Sequence, residues 1–152
     1  MPYRVGHGNA GLTGGEFKLV TPADPALGSQ HATIIVPSGK LWRPIAFTLS
    51  LTTDATVVDR ASALIINAQG GTGTVASLRS ATGESKVGGA SSTNASVFLA
   101  GAVGVTNDVG SLASIPEIML LPGWGIRNFI ASLQAGDQIS DVRLLVEEWE
   151  GV

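Results

Sequence analysis

The chain has no cysteine, only two histidines, and charged residues at just 14% of its 152 positions. Each shortage excludes something. Without cysteine there are no disulfides and no thiolate zinc sites, so a small secreted domain stapled by cross-links is excluded. The net charge of −3 and a pI near 5.2, with nine Lys and Arg scattered from Arg4 to Arg143, leave no basic field to displace counterions from phosphate. No nucleic-acid partner is expected. No window reaches the ~18 uninterrupted apolar residues of a membrane-spanning helix, and the longest contender, Ser96 to Val105, is too short. Residues Met1 to Gly8 lack the apolar core of a signal peptide, so synthesis and use without crossing a membrane are expected.

Glycine occupies 20 positions and mean hydropathy is +0.31. Disordered chains show the opposite balance, low hydropathy and high charge. Two compatible descriptions remain: a β protein with many tight turns, or a subunit whose surface is covered in an assembly. One domain of this length buries about 70% of its unfolded surface.

The hydrophobic pattern follows a period of two. Residues 1–30 show no sustained period and read as an extended Gly-rich arm, with Phe17, Leu19 and Val20 as a short strand. The remainder, 31–152, reads as one β domain. Ala32 to Val36 is β-rich and stops at Pro37-Ser38-Gly39. Ile45, Phe47, Leu49 and Leu51 alternate with small polar residues, marking a strand with one face on the core. Further strands are expected in 56–67, 75–79 and 96–105, the last thinned by Gly101 and Gly104. Asn107 to Ser111 reads as loop. Ile126–Leu133 and Val142–Trp149 flank Gln134-Ala135-Gly136-Asp137 as a closing hairpin. About eight strands spaced by Gly, Pro and Asn turns, with no amphipathic helix, predict an all-β antiparallel β-sandwich of the jelly-roll kind.

Catalytic, cofactor and metal chemistry find little footing. Gly6-His7-Gly8-Asn9-Ala10-Gly11 matches G-x-G-x-x-G, but five residues precede it and Leu12-Thr13-Gly14-Gly15 is a poor helix start, so no dinucleotide site is expected. His7 and His31 fit no metal-ligand spacing, and no G-x-S-x-G elbow exposes a serine. Glu147 and Glu148 point to opposite faces of a strand and cannot flank one bond. With Glu150, Asp137 and Asp141 they read as a solvated strand end, with Arg143 or Arg127 as cross-strand partners. Asp54, Asp59 and Arg60 read as turn and strand-edge polarity; the alternative is that Arg60, between two apolar runs, faces inward in a structural pair with Asp59 or Asp54. No enzyme activity is expected. Phe47 and Phe98 read as core. Trp42 and Trp124 read equally as barrel-end caps or partner contacts.

Several stretches carry a resemblance: Trp42-Arg43-Pro44-Ile45-Ala46-Phe47-Thr48-Leu49, Thr52-Thr53-Asp54-Ala55-Thr56-Val57-Val58-Asp59-Arg60, Leu121-Pro122-Gly123-Trp124-Gly125-Ile126, Gln134 to Ser140, and Leu144 to Trp149. Over residues 40–150 the chain resembles small tailed-bacteriophage virion proteins of the head-decoration, cement or fibre-like kind. The resemblance implies a non-enzymatic jelly-roll-like subunit, homotrimeric, on the capsid surface after assembly in the host cytoplasm, and bound to the major capsid protein. Candidate contact residues are Tyr3, Arg4, Phe17, Trp42 and Trp124. A head-fibre or tail role, with or without host binding, is the alternative. From another class comes a carbohydrate-binding sandwich using Trp42 and Trp124.

Overall fold

The protein, as a computed structural model, is described over residues 14–56, 58–68, 73–79, 84–85, 93–100, 105–107 and 110–151. At 59, 76–79, 84–85, 93–100, 105–107 and 110–113 the description is of the backbone alone. These residues form eleven strands: β1 Glu16–Val20, β2 Ile34–Ile35, β3 Lys40–Thr52, β4 Asp59–Asn67, β5 Thr74–Arg79, β6 Glu84–Ser85, β7 Thr93–Ala100, β8 Val105–Asn107, β9 Gly110–Ile115, β10 Gly125–Ala131 and β11 Gln138–Glu150. Three of them, β2, β6 and β8, are only two or three residues long. No helix long and apolar enough to cross a membrane occurs among the described residues.

The strands make two sheets, one ordered β1-β11-β3-β7-β9-β8 and one ordered β2-β10-β4-β5, with β6 also pairing β4. Pairing is antiparallel except between β7 and β9, which run parallel. Residues 107–111, expected as loop, include the start of β9 at Gly110. Both sheets feed one apolar core. Phe47, Leu49 and Leu51 of β3 and Ile139, Val142, Leu144 and Val146 of β11 meet Leu64 and Ile66 of β4 and Ile126 and Ile130 of β10. The side chain of Phe98 lies outside the description.

The final pair of strands is not a hairpin. β10 pairs β2 and β4 in one sheet, while β11 pairs β1 and β3 in the other. Residues 132–137 therefore form an arch that carries the chain across the core. Each strand has one buried face, and two strands facing one core from opposite sides produce the same period of two as two strands side by side. The link from β3 to β4, residues 53–58, also crosses between the sheets. The two arches lie at the same end, because Gln138 is opposite Thr52 and Ala131 opposite Ala61.

Two irregularities re-aim the long β3–β11 pair. Leu145 faces Ala46 but Val146 faces Pro44, which leaves Ile45 as the extra residue of a bulge. Proline has no N–H to give a ladder, so Pro44 is tolerated at this break. The bulge shifts the inward phase: Trp42 and Pro44 are buried, whereas Ile45, expected inward, is only half-buried. A second bulge between Ser140 and Arg143 places Asp141 at φ 53°, a conformation that short polar side chains accept more readily than most.

Candidate functional site

Polar side chains gather at three places, each built by long-range pairing. The first joins the two arches. Arg60 leaves the start of β4 only 2% exposed, and Asp137, the last residue of the second arch, is fully buried. Arg60 Nε donates to Asp137 Oδ2 at 2.6 Å and Nη2 to Oδ1 at 2.9 Å, a fork-to-fork pair. Nη2 also donates to Asp54 Oδ1 at 2.9 Å, and Nη1 to the carbonyls of Thr56 at 3.2 Å and Val58 at 3.3 Å. All five N–H groups of a guanidinium are thereby used. Asp137 in turn accepts backbone N–H groups from Asp54 at 2.9 Å and Gln134 at 2.8 Å. Burial pushes the Asp137 carboxyl upward, but the Arg60 guanidinium and these two amides outweigh it and hold the group below the ordinary aspartate value. With Arg60 and Asp137 buried and every guanidinium N–H engaged, this cluster fixes the geometry of the two arches.

Asp54, offered as an inward partner for Arg60, is one of two. Asp137, read as part of a solvated strand end, is instead the buried anchor of the second arch. The structure corrects that reading because the carboxylate is repaid for lost water by four hydrogen bonds. The side chain of Asp59 lies outside the description.

The second place is the far end of the β1–β11–β3 ribbon. Trp42 is opposite Glu148 and Arg43 opposite Glu147. Trp42 Nε1 donates to Glu148 Oε2 at 2.5 Å, Lys18 of β1 pairs with the same carboxylate at 3.2 Å, and Lys40 approaches it at 3.8 Å. Lys40 also pairs with Glu150, and Arg43 with Glu147. Burial raises the Glu148 carboxyl, but the Trp42 and Lys18 hydrogen bonds and the two lysine charges more than offset it and lower its pKa. The partners of Glu147 and Glu148 thus come from β1 and β3. Arg143, offered as one of them, pairs weakly with Asp141 at 3.7 Å in solvent. Trp149 is buried outside the central core: Arg43 lies over its ring at 5.9 Å, and a Cβ on Gly15 would come within 2.5 Å of its Cε2.

The third place is the segment between β1 and β2, which crosses from one sheet edge to the other. Gly28 N donates to Asp137 O at 2.7 Å and Gln138 Nε2 to Pro25 O at 3.0 Å, strapping the segment across the second arch. Gln30 and His31 then stand in for a strand beside β10. The Gln30 amide exchanges both bonds with Ile130, Nε2 to O at 2.7 Å and N to Oε1 at 3.0 Å. His31, 3% exposed, accepts the Asn128 N–H on Nε2 at 2.8 Å and donates from Nδ1 to Ala32 O at 2.7 Å, which assigns the neutral Nδ1–H tautomer. Its ring stacks on Phe47 at 5.7 Å. Burial lowers the His31 pKa, the Ala32 carbonyl opposes this, and the Arg127 charge lowers it further.

The named contact residues are dispersed. Phe17 projects from β1 at 71% exposure. Trp42 is a core ring tied by its N–H to Glu148, so it cannot present a face to a sugar or a partner. Trp124 is partly buried against the core, its carbonyl accepting from Val36 N at 2.8 Å. Tyr3, Arg4 and the Gly6–Gly11 motif lie outside the described residues. Sequence reasoning missed the roles of Gln30, His31 and Trp42. A polar Gln-His pair directly before a β-rich run was the one available signal. Among the described residues, no group of three His, Cys, Asp or Glu is placed to hold a metal ion. No family model, curated protein or solved structure matches the chain.

Proposed function

We propose that this chain is a non-enzymatic virion structural protein of a tailed bacteriophage, a capsid cement or decoration subunit that binds the major capsid protein and stabilises the head. In this reading the two sheets form a sandwich of jelly-roll type, the subunit is a homotrimer, and it sits on the capsid surface. The observation that carries the proposal is β1. It is an edge strand with Phe17 71% and Leu19 57% exposed, fed directly by the Gly-rich N-terminal residues. An apolar strand edge of this kind is how a β subunit joins a neighbour's sheet. Two further features support the reading: polar clusters spent on holding arches and edges, and a sparsely charged surface suited to wide contacts.

The experiment is attachment to undecorated heads by the full chain and by a form lacking residues 1–13. That boundary matters, because Gly15 packs on Trp149 and β1 completes the sheet beside β11. Removing residues 1–25 would strip both from the body and confound attachment with unfolding. The reading expects the shortened form to melt like the full chain and to lose most of its attachment. Equal attachment by both forms would contradict the role given to the arm, and no attachment by either would contradict the capsid reading.

A further inference from the structure

We propose that β1 is a self-pairing edge: two copies of this chain join through antiparallel β1–β1 contact about a two-fold axis at Phe17, making the two β1-containing sheets continuous. The inference stands apart from what the assembly is attached to.

Among the described residues β1 has a strand on one side only, β11, in a register with Glu16 opposite Glu148 and Val20 opposite Leu144. Its other edge presents backbone N–H and C=O groups, and Phe17 and Leu19 stand beside it in solvent at 71% and 57% exposure. Natural edges are blunted by short length, charged side chains, bulges, proline or covering segments; β1 is five residues long and carries Glu16 and Lys18, but holds no proline. Here Pro22 comes only after the strand has ended.

The sequence of β1 selects its own copy as the occupant. A two-fold contact that continues a sheet must keep faces together, so residues of like parity stand opposite one another. Three registers of this kind are centred within the first three residues of the strand. Centred on Glu16, the contact sets Glu16 against Glu16. Centred on Lys18, it sets Lys18 against Lys18. Centred on Phe17, it sets Glu16 against Lys18 twice, Phe17 against Phe17, and Gly15 against Leu19. Only this last register gains two opposite-charge cross-strand pairs and an aromatic pair, with no like charges opposed. Glu16 is exposed and the Lys18 side chain is 47% exposed, so both can make the contact, and an ammonium with three N–H donors can retain Glu148 as well. The contact is isologous and closes on itself.

The absence of cysteine makes the test direct. In the proposed register residue 17 meets its own copy at the ~5 Å Cα separation of an antiparallel pair, within disulfide reach. Residue 19 is displaced from its copy by about four residues of strand, on the order of 13 Å, and is out of reach. Phe17→Cys is expected to form a covalent dimer under mild oxidant at least about tenfold faster than Leu19→Cys. Equal rates at the two positions, or no cross-linking at 17, would overturn the proposal. A second route avoids both apolar residues. Glu16→Lys and Lys18→Glu each place like charges across the dyad, whereas a mixture of the two variants restores both pairs between unlike chains. Light scattering should show each variant alone self-associating about tenfold more weakly than wild type, and the equimolar mixture recovering the wild-type mass. A mixture no heavier than its components, or wild-type protein that never associates in multiples of two, would sink the idea. Because Lys18→Glu also faces Glu148, thermal melts accompany the masses, and the cross-linking comparison decides if that variant loosens β1.

Discussion

At the scale of single residues, stability is concentrated in a few buried polar groups. Arg60→Met would leave Asp137 buried without its counter-charge. Removing one partner of such a pair costs about 3–5 kcal/mol, a large part of a typical domain's margin. The expected result is an unfolding free energy lowered by that amount, read as a lower denaturant midpoint at unchanged m-value. Replacing Asp137 by Ala should cost less than this, since Arg60 keeps Asp54 and two carbonyls.

His31 sets the pH response. Its folded pKa lies below the ordinary histidine value of about 6.5, so on acidification the unfolded chain takes up a proton before the folded one does. Stability is therefore fully present above about pH 6.5 and declines as pH falls below it. Asp137 and Glu148 have depressed values, so their contributions persist above the ordinary carboxylate range and are lost at lower pH as they protonate. Two acid-side losses are expected, and His31→Gln should flatten the first, which sets in below about pH 6.5, while leaving the second. Equilibrium unfolding across that range checks it; an unchanged slope in the variant would assign the first loss elsewhere.

At the scale of elements, the arches and the strap decide the architecture. Gly28 and Gly39 have nearly the same left-handed backbone, φ 70° and 73°, but different surroundings. A Cβ on Gly28 would fall 2.8 Å from the Ala135 backbone, whereas one on Gly39 meets nothing within 4 Å. Gly39→Ala should cost about 1–2 kcal/mol from backbone strain alone. Gly28→Ala should cost about 1–3 kcal/mol more, because the strap must lift off the arch. Equal losses would show that the strap contributes nothing to holding the arch.

What the sequence made legible follows from range. Period-two alternation is local, so β3, β4, β10 and β11 were readable to within a few residues, whereas the inward turn of Arg60 was readable only as an alternative to turn polarity. Partners were not readable, because pairing is made at a distance: Arg60 and Asp137 are separated by 77 positions, and Gln30 and Ile130 by 100. Alternation also cannot tell a hairpin from an arch, since both bury every second residue. The bulge at Ile45 was invisible for the same reason, and with it the inward turn of Trp42. Pro44 was its one local sign. The candidate site was legible only in part. Phe17 stands exposed, while Trp42 belongs to the core and the clusters that hold the arches were read as surface.

At the scale of the whole molecule, the chain combines a cross-tied body with an edge strand. Its arches are tied by a saturated ion cluster, β10 is finished by side chains, and among the described residues β1 has a strand on one side only, with Phe17 and Leu19 exposed. Such a body suits a structural subunit, which works by presenting fixed surfaces to several neighbours at once. A cement protein and a fibre or tail component share that logic and differ in number. The most direct test of the proposed virion role is therefore the copy number of this chain, by quantitative mass spectrometry, in purified particles of the phage proposed to encode it. The account predicts on the order of hundreds of copies per particle, as repeated lattice positions of a symmetric shell require. A few dozen or fewer would move it to a fibre or tail, and its absence from the particle would contradict the account.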